Sequence, residues 1–362
     1  MMGEEAKTER SDFKLSQQHF GPLWKYICQD EITNVDWDSG QLWIKFAKRV
    51  RERVEDPEVT EDFIQRFSLI VANHESRPFN RLDYILSAET EQLRITFVHE
   101  AFAVSGRSMS IRKSLPRLRF TAKEAVMNGY CDVKVMQLLA NCVRSGFNFV
   151  FCGEPGQGKT EAAKFFSSFI RPREKVITVE DLREWHYHAI HPKRDCIEFK
   201  VSSPEDYERA LAVALRLNPA WVMLAETRSR EVRFLLESWS NGVNCMTTLH
   251  VDDARKIPDR ILNMLESRQD ADRLVNQIYA DVGIGILMRE QELEEGRTAH
   301  RIWQVCFYYR EEERNGHVML VEEGCLRENR MPEFLRRRIQ AGCGQGDIYF
   351  SPQVQRLLQE DV

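Results

Sequence analysis

Hydrophobic and polar residues alternate with period two along Gln41–Phe46 and Gln92–Val98, the pattern of strands with one buried face. Between them Phe63, Ile64, Phe67, Ile70 and Val71 recur at helical spacing. They follow Thr60, Glu61 and Asp62, a hydroxyl cap and two acids suited to the positive end of a helix dipole. This mixture predicts a small α+β domain over residues 1–115. Ser114–Phe120 is a proline-containing basic stretch, so a linker is expected at 116–124. Thr121 and Glu124 have capping-box spacing, and Asp132 to Gly146 encloses another apolar-periodic helix.

From residue 147 the pattern changes to short, nearly continuous apolar runs at Phe147–Cys152, Lys175–Val179, Trp221–Ala225, Asn244–Leu249 and Asp281–Leu287. Strands buried on both faces read this way, and the helical stretches between them make the sheet largely parallel. An α/β domain is therefore expected over 125–362. Such a sheet places its chemistry at the carboxyl ends of its strands, so the residues that follow these runs matter most.

Composition narrows the classes. Hydrophobic residues make up 43% and charged residues 30%, enough for a sizeable core and against a mostly disordered chain. Lysine and arginine total 51 against 56 acids, a net charge of -5, so there is no global polycation to hold nucleic acid or an anionic membrane. Any basic surface must be local, as at Phe334–Arg338. The first ten residues carry charge where a signal peptide needs an apolar stretch, and no run approaches the roughly 18 apolar residues of a membrane span. A cytoplasmic protein is expected. Nine cysteines without a C-x-x-C pair fit neither a disulfide framework nor a closed zinc site, and are expected as buried free thiols.

The first apolar run passes directly into Gly153-Glu-Pro-Gly156-Gln-Gly158-Lys159-Thr160 and an amphipathic helix that begins at Glu161. This is a complete G-x-x-x-x-G-K-[ST] phosphate loop in its strand-to-helix setting. Gly153, Gly156 and Gly158 let backbone N–H groups face phosphate, and the helix start at Glu161 favours negative charge. Lys159 can reach the β and γ phosphates, and Thr160 can ligate Mg²⁺.

Three more signals end later runs. Glu180 and Asp181 follow the second, where acids can hold Mg²⁺ or orient water, although Glu-Asp is also a common helix start. Glu226 follows the third, 67 residues beyond Lys159, where a carboxylate can polarise the attacking water or merely cap the next helix. His250 follows Thr247 and Thr248 after the fourth run, and these groups can sense a γ-phosphate or be ordinary strand-end residues.

In order and spacing the four signals resemble the type II/IV secretion traffic ATPases, the hexameric motors of secretion, conjugation and pilus assembly. The resemblance covers about residues 80 to 310. Ile177–Asp181 is similar to the family's Asp box, Leu215–Arg216 through Leu224–Arg228 to its Walker B segment, and Thr247–Ala254 to its His box. Ser105–Lys113 is similar to the S-I-R-K stretch of the conjugation branch. Ala220 and Ala225 depart from the usual Asp and Gly, and the four-cysteine zinc insertion of type II motors is missing, which favours the conjugation or Flp-type pilus branch.

The resemblance implies a RecA-like P-loop ATPase domain with a smaller N-terminal α+β domain, using ATP and Mg²⁺. It implies Glu226 as the water-polarising group, Glu180 as metal or water support, His250 as γ-phosphate sensor, and Arg112 as charge stabiliser. Arg107 and Arg228 join the phosphate-loop residues as nucleotide contacts. It further implies a homo-oligomer, a hexameric ring, at the inner face of the cell membrane with secretion or pilus platform proteins as partners, and no direct specific nucleic-acid binding. The alternatives are a RecA-like nucleic-acid translocase, marked by basic loops around a channel, and a nucleotide-gated scaffold that does not hydrolyse ATP.

Overall fold

The alternating N-terminal segments become an antiparallel sheet in the computed structural model, which describes residues 15–227, 231–265, 271–344 and 346–360. The chain divides into two units, one ending at Ser114 and the other beginning at Leu115. In the first unit the strands are β1 Ile32–Asp38, β2 Gln41–Phe46, β3 Glu52–Val54, β4 Ile85–Glu89, β5 Leu93–Val98 and β6 Ser108–Lys113, in the order β3-β2-β1-β6-β5-β4. The helix Glu61–His74 buries Ile64, Phe67 and Val71 in one core with Ile95, Phe97 and Ile111 of the sheet. Its start is set as the sequence suggests: the Phe63 N–H donates to the Thr60 hydroxyl at 3.2 Å, a cap that contributes about 1 kcal/mol.

The second unit is built on a nine-stranded sheet. Its strands are β7 Phe149–Cys152, β8 Val176–Glu180, β9 Cys196–Lys200, β10 Trp221–Leu224, β11 Asn244–Leu249, β12 Ile284–Glu292, β13 Thr298–Glu311, β14 Arg314–Glu322 and β15 Cys325–Leu326. They are ordered β15-β14-β13-β12-β7-β11-β10-β8-β9. The run from β12 to β9 is parallel, and β13 to β15 add an antiparallel extension. Alternate residues of β7 feed two cores: Phe149 and Phe151 pack with Leu139 and Phe166, while Val150 and Cys152 pack with Leu211 and Leu235. Burial on both faces is why these strands read as unbroken apolar runs. The α/β architecture expected from the sequence is the one observed.

Three local expectations change. The run Asp281–Leu287 is not all strand, because the Val282 N–H bonds the Ile278 carbonyl at 2.9 Å and Gly283, at φ +75°, turns the chain before β12 begins at Ile284. Residues 116–124, expected as a linker, belong to the second unit, where Thr121 and Glu124 form the expected capping box for a helix Ala122–Met127. The cysteines are all free, but Cys28 and Cys325 are exposed rather than buried.

The basic run Phe334–Arg338 lies on the helix Glu333–Cys343. Arg338 stacks 4.0 Å over the Phe147 ring and Arg337 donates to Glu333 at 3.2 Å, so this run is partly consumed in packing. Among the described residues no helix is long and apolar enough to cross a membrane.

Candidate functional site

Four of the sequence signals end neighbouring strands. Across β7, β11, β10 and β8, the pairings Cys152 with Leu249, Met223 with Met246, and Leu224 with Val179 bring the strand ends level. Lys159, His250, Glu226 and Glu180 follow those ends along one carboxyl edge.

The phosphate loop closes on itself. Gly153 has φ +140°, and a Cβ there would sit 2.6 Å from the Met288 carbonyl oxygen, so only glycine fits. Gly158, at φ +79°, is the left-handed residue that opens the helix Lys159–Ser167. The Glu154 N–H donates to the Gln157 side chain at 3.0 Å. The Lys159 ammonium is buried and donates to the carbonyls of Gly153 at 3.0 Å and Glu154 at 2.8 Å.

Lys159 Nζ also lies 3.4 Å from His250 Nδ1, and His250 Nε2 lies 3.1 Å from Glu226 Oε1. A neutral imidazole protonated on Nε2 satisfies both contacts, accepting from the lysine and donating to the carboxylate. Glu226 and His250 keep about a third and two fifths of their side chains accessible, 33% and 42%, so both remain open to a ligand.

The hydroxyls of Thr247 and Thr248 do not face this opening. Thr247 Oγ1 pairs with Thr227 Oγ1 at 2.6 Å, Thr248 Oγ1 donates to the Ala225 carbonyl at 2.7 Å, and the Thr227 N–H donates to the Thr248 carbonyl at 3.0 Å. Glu226 is thus held on both sides to the end of β11. The sequence flagged these hydroxyls as phosphate sensors; their geometry makes them the support that positions Glu226.

Glu180 is also not at the surface of the site. It is buried, and its Oε1 accepts from the N–H groups of Trp185 at 2.8 Å and Glu184 at 3.0 Å, folding the chain after β8 back on itself. That fold brings Glu184 to the phosphate loop, where Thr160 Oγ1 donates to Glu184 Oε2 at 3.0 Å. Glu184 is the site residue that sequence reasoning missed. Its only signal is a third acid three residues beyond Asp181.

Burial pushes the Glu180 carboxyl up to about 8, against the two N–H groups that favour its ionised form. The unfolded group loses its proton at an ordinary carboxylate pH and the folded group near 8. Between those values the folded state binds more protons, and stability falls as pH rises. Glu180→Gln keeps the acceptor and cannot ionise. Its melting temperature in nucleotide-free protein should gain on wild type progressively from about pH 5 to about pH 8. A pH-independent difference overturns this account.

Of the remaining sequence candidates, Gly156 lies at the exposed crest of the loop with φ +81°, and Arg228 lies outside the described residues. Arg107 is built into the first unit. Its Nε and Nη2 donate to Glu100 at 2.8 and 3.1 Å, its Nη1 donates to Ser68 at 2.8 Å, and it stacks 5.3 Å over Phe79. The sequence marked it as a nucleotide contact, whereas these partners make it a brace between the helix Glu61–His74 and the turn before β6. Arg112, by contrast, is exposed on β6, with Arg94 of β5 as its cross-strand partner.

A glycine loop between a buried strand and a helix, with a lysine, a hydroxyl and carboxylates converging on it, defines a P-loop nucleotide-binding protein. The sequence profile of the type II/IV secretion system proteins matches residues 80–306, more than half of the chain, and the chain belongs to that family. An uncharacterized protein of Bacillus anthracis is 27% identical over 236 residues, covering 65% of this chain and 53% of its own length. The conjugal transfer protein TrbB of Rhizobium radiobacter is 23% identical over 229 residues, 61% of this chain and 67% of TrbB. The chain therefore spans about half of the first relative and about two thirds of the second. The solved structure of the Yersinia pseudotuberculosis ATPase DotB superposes with a TM-score of 0.60 at 12% identity, covering 96% of this chain and 87% of DotB, a likeness of fold.

Proposed function

We propose that the chain is a MgATP-hydrolysing motor that powers a type IV secretion, conjugation or pilus-assembly machine at the inner face of the cell membrane. The observation that carries this reading is the unbroken line of contacts from Lys159 through His250 to Glu226 at the mouth of the phosphate loop. Family membership and the conjugal transfer relative support the setting.

The donor set fits a divalent cation: the Thr160 hydroxyl and the Glu184 carboxylate are already in contact beside the loop. Mg²⁺ held there would offset charge on the β and γ phosphate oxygens. Lys159 exchanges its two loop carbonyls for phosphate oxygens, with the loop N–H groups around it. His250 leaves Glu226 when the γ-phosphate arrives, because both compete for the same opening. Glu226 then orients the attacking water and takes its proton, while Glu180 holds the Glu184 turn in place. Arg112, with Arg94 beside it, supplies positive charge to a nucleotide in its own or a neighbouring subunit of a hexameric ring. Platform proteins of the inner membrane are the proposed partners.

Steady-state phosphate release tests the reading. Turnover per subunit should depend on MgATP and rise with protein concentration as the ring assembles. Arg112→Ala should keep ATP binding and lose about 10²-fold or more in turnover. Mixing Arg112→Ala with Lys159→Ala subunits should recover activity, since a mixed interface can pair an intact Arg112 with an intact Lys159. No recovery in demonstrated mixed oligomers places Arg112 in its own subunit's site. Concentration-independent turnover by a sedimenting monomer overturns the ring, and absence of MgATP turnover overturns the motor.

A further inference from the structure

The helix Lys159–Ser167 carries a lysine that has no solvent exposure. Lys164 Nζ donates to the Leu115 carbonyl at 3.1 Å and to Glu161 Oε1 at 3.1 Å. The same carboxylate oxygen lies 3.6 Å from Arg119 Nε. Leu115 and Arg119 belong to the segment that continues from β6, the last strand of the first unit, into the second unit. Glu161 is the residue after Thr160 in the first turn of the phosphate-loop helix.

A buried ammonium is costly to desolvate, and apolar residues of similar volume usually stabilise a fold as well or better. Where such a pair is kept, a register or switching role is its best-attested use. This network is also half satisfied. Glu161 Oε2 and Tyr130 Oη are buried, and neither has a hydrogen-bond partner among the described residues. Burial above all pushes the Tyr130 phenol well above its ordinary pKa, so its hydroxyl keeps its proton and is a donor. Tyr130 packs 4.6 Å from Phe120, and Phe120 packs 5.1 Å from Phe165 of the same helix. A buried acceptor on this helix and a buried donor on a ring packed against it through Phe120 offer Glu161 a second seat.

We propose that Glu161 and Lys164 form a nucleotide-sensitive latch on the first residues of the second unit, the segment that follows β6. In the nucleotide-free state they hold Leu115 and Arg119 to the phosphate-loop helix. Phosphate draws on the N–H groups of the helix's first turn, Glu161 among them. The Glu161 carboxylate then swings to Tyr130 Oη and lets Arg119 go. Lys164 is a positioning residue in this device: it touches no substrate and sets whether that segment is held. The inference rests on nucleotide binding by the loop and adds how that binding reaches the chain leading to the first unit.

Limited trypsin digestion of the full-length protein tests it, with cuts at Arg117 and Arg119 mapped by mass, alone and with MgADP or a non-hydrolysable MgATP analogue. Nucleotide affinity is measured in parallel by calorimetry. Wild type should be cut several-fold faster with the analogue. Lys164→Met should be cut fast with or without nucleotide while still binding it, and Lys164→Arg should restore the nucleotide response. Tyr130→Phe, which removes the second seat, should bind nucleotide yet stay slowly cut, and it decides the matter if Lys164→Met does not fold. Nucleotide binding without a change in wild-type cutting, or a wild-type response in Tyr130→Phe, overturns the latch alone. Failure of the wild type to bind nucleotide overturns both the latch and the proposed function.

Discussion

Lys159→Ala should lower MgATP turnover by ~10³-fold or more and weaken nucleotide binding by about 10- to 100-fold. The first figure follows from losing the cation that offsets β and γ phosphate charge in the transition state, where preorganised donors act most strongly. The second is the worth of a charge-assisted hydrogen bond, about 1.5–3 kcal/mol, converted to affinity. The geometry makes Lys159 suited to both. Its ammonium is buried at the mouth of the loop and already bonded to the carbonyls of Gly153 and Glu154, so binding exchanges partners with little further loss of freedom. Truncation also leaves the buried Gly153 carbonyl without this donor, so the melting temperature of the variant should fall by a few degrees while its activity falls by orders of magnitude. Turnover within about twofold of wild type at saturating MgATP would remove the phosphate loop from the active site altogether.

Glu226→Gln should behave differently: ATP binds as in wild type, turnover falls by ~10²-fold or more, and an ATP-loaded oligomer accumulates. The amide oxygen can still accept from His250 Nε2, now 3.1 Å from Glu226 Oε1, and the threonine contacts around residues 225 and 227 do not involve the side chain at 226. Only basicity and charge are lost. The split between KM and kcat is the diagnostic reading, since removal of an interaction made only in the transition state lowers kcat and leaves binding alone. Equal losses in binding and turnover would make Glu226 a structural or direct metal-holding group. Set beside Glu180→Gln, the same measurement separates the two carboxylates. Glu180 is buried and bonded to backbone, so its amide should cost far less activity than that at 226.

Several elements were legible because their information is contiguous. The phosphate loop needs glycine at positive φ, a lysine and a hydroxyl within eight successive residues that join a strand to a helix, and that pattern is local, although the Met288 carbonyl that also excludes a side chain at Gly153 is not. The Thr60 cap and the Thr121–Glu124 capping box are likewise contacts across three residues. The unbroken apolar runs announced strands covered on both faces, and their alternation with helical stretches announced a parallel sheet. The order of the boxes along the chain was readable for the same reason.

What could not be read are contacts between residues far apart in sequence, or the direction a side chain takes once packed. Arg107 and Arg112 sit five residues apart in one basic stretch, yet Glu100, Ser68 and Phe79 enclose the first, while the second stands exposed opposite Arg94. Thr247 and Thr248 look like strand-tip hydroxyls in sequence and turn inward because Ala225 and Thr227 offer them partners across the sheet. Glu184 reaches Thr160 only because Glu180, once buried, gathers the N–H groups of Glu184 and Trp185 and reverses the chain. The chain's own pattern thus specified the elements and the phosphate loop. Strand order placed Lys159, His250 and Glu226 within reach of one another, and strand order is set by burying whole sheet faces and pairing backbone groups over long separations, energies that no short stretch of sequence contains.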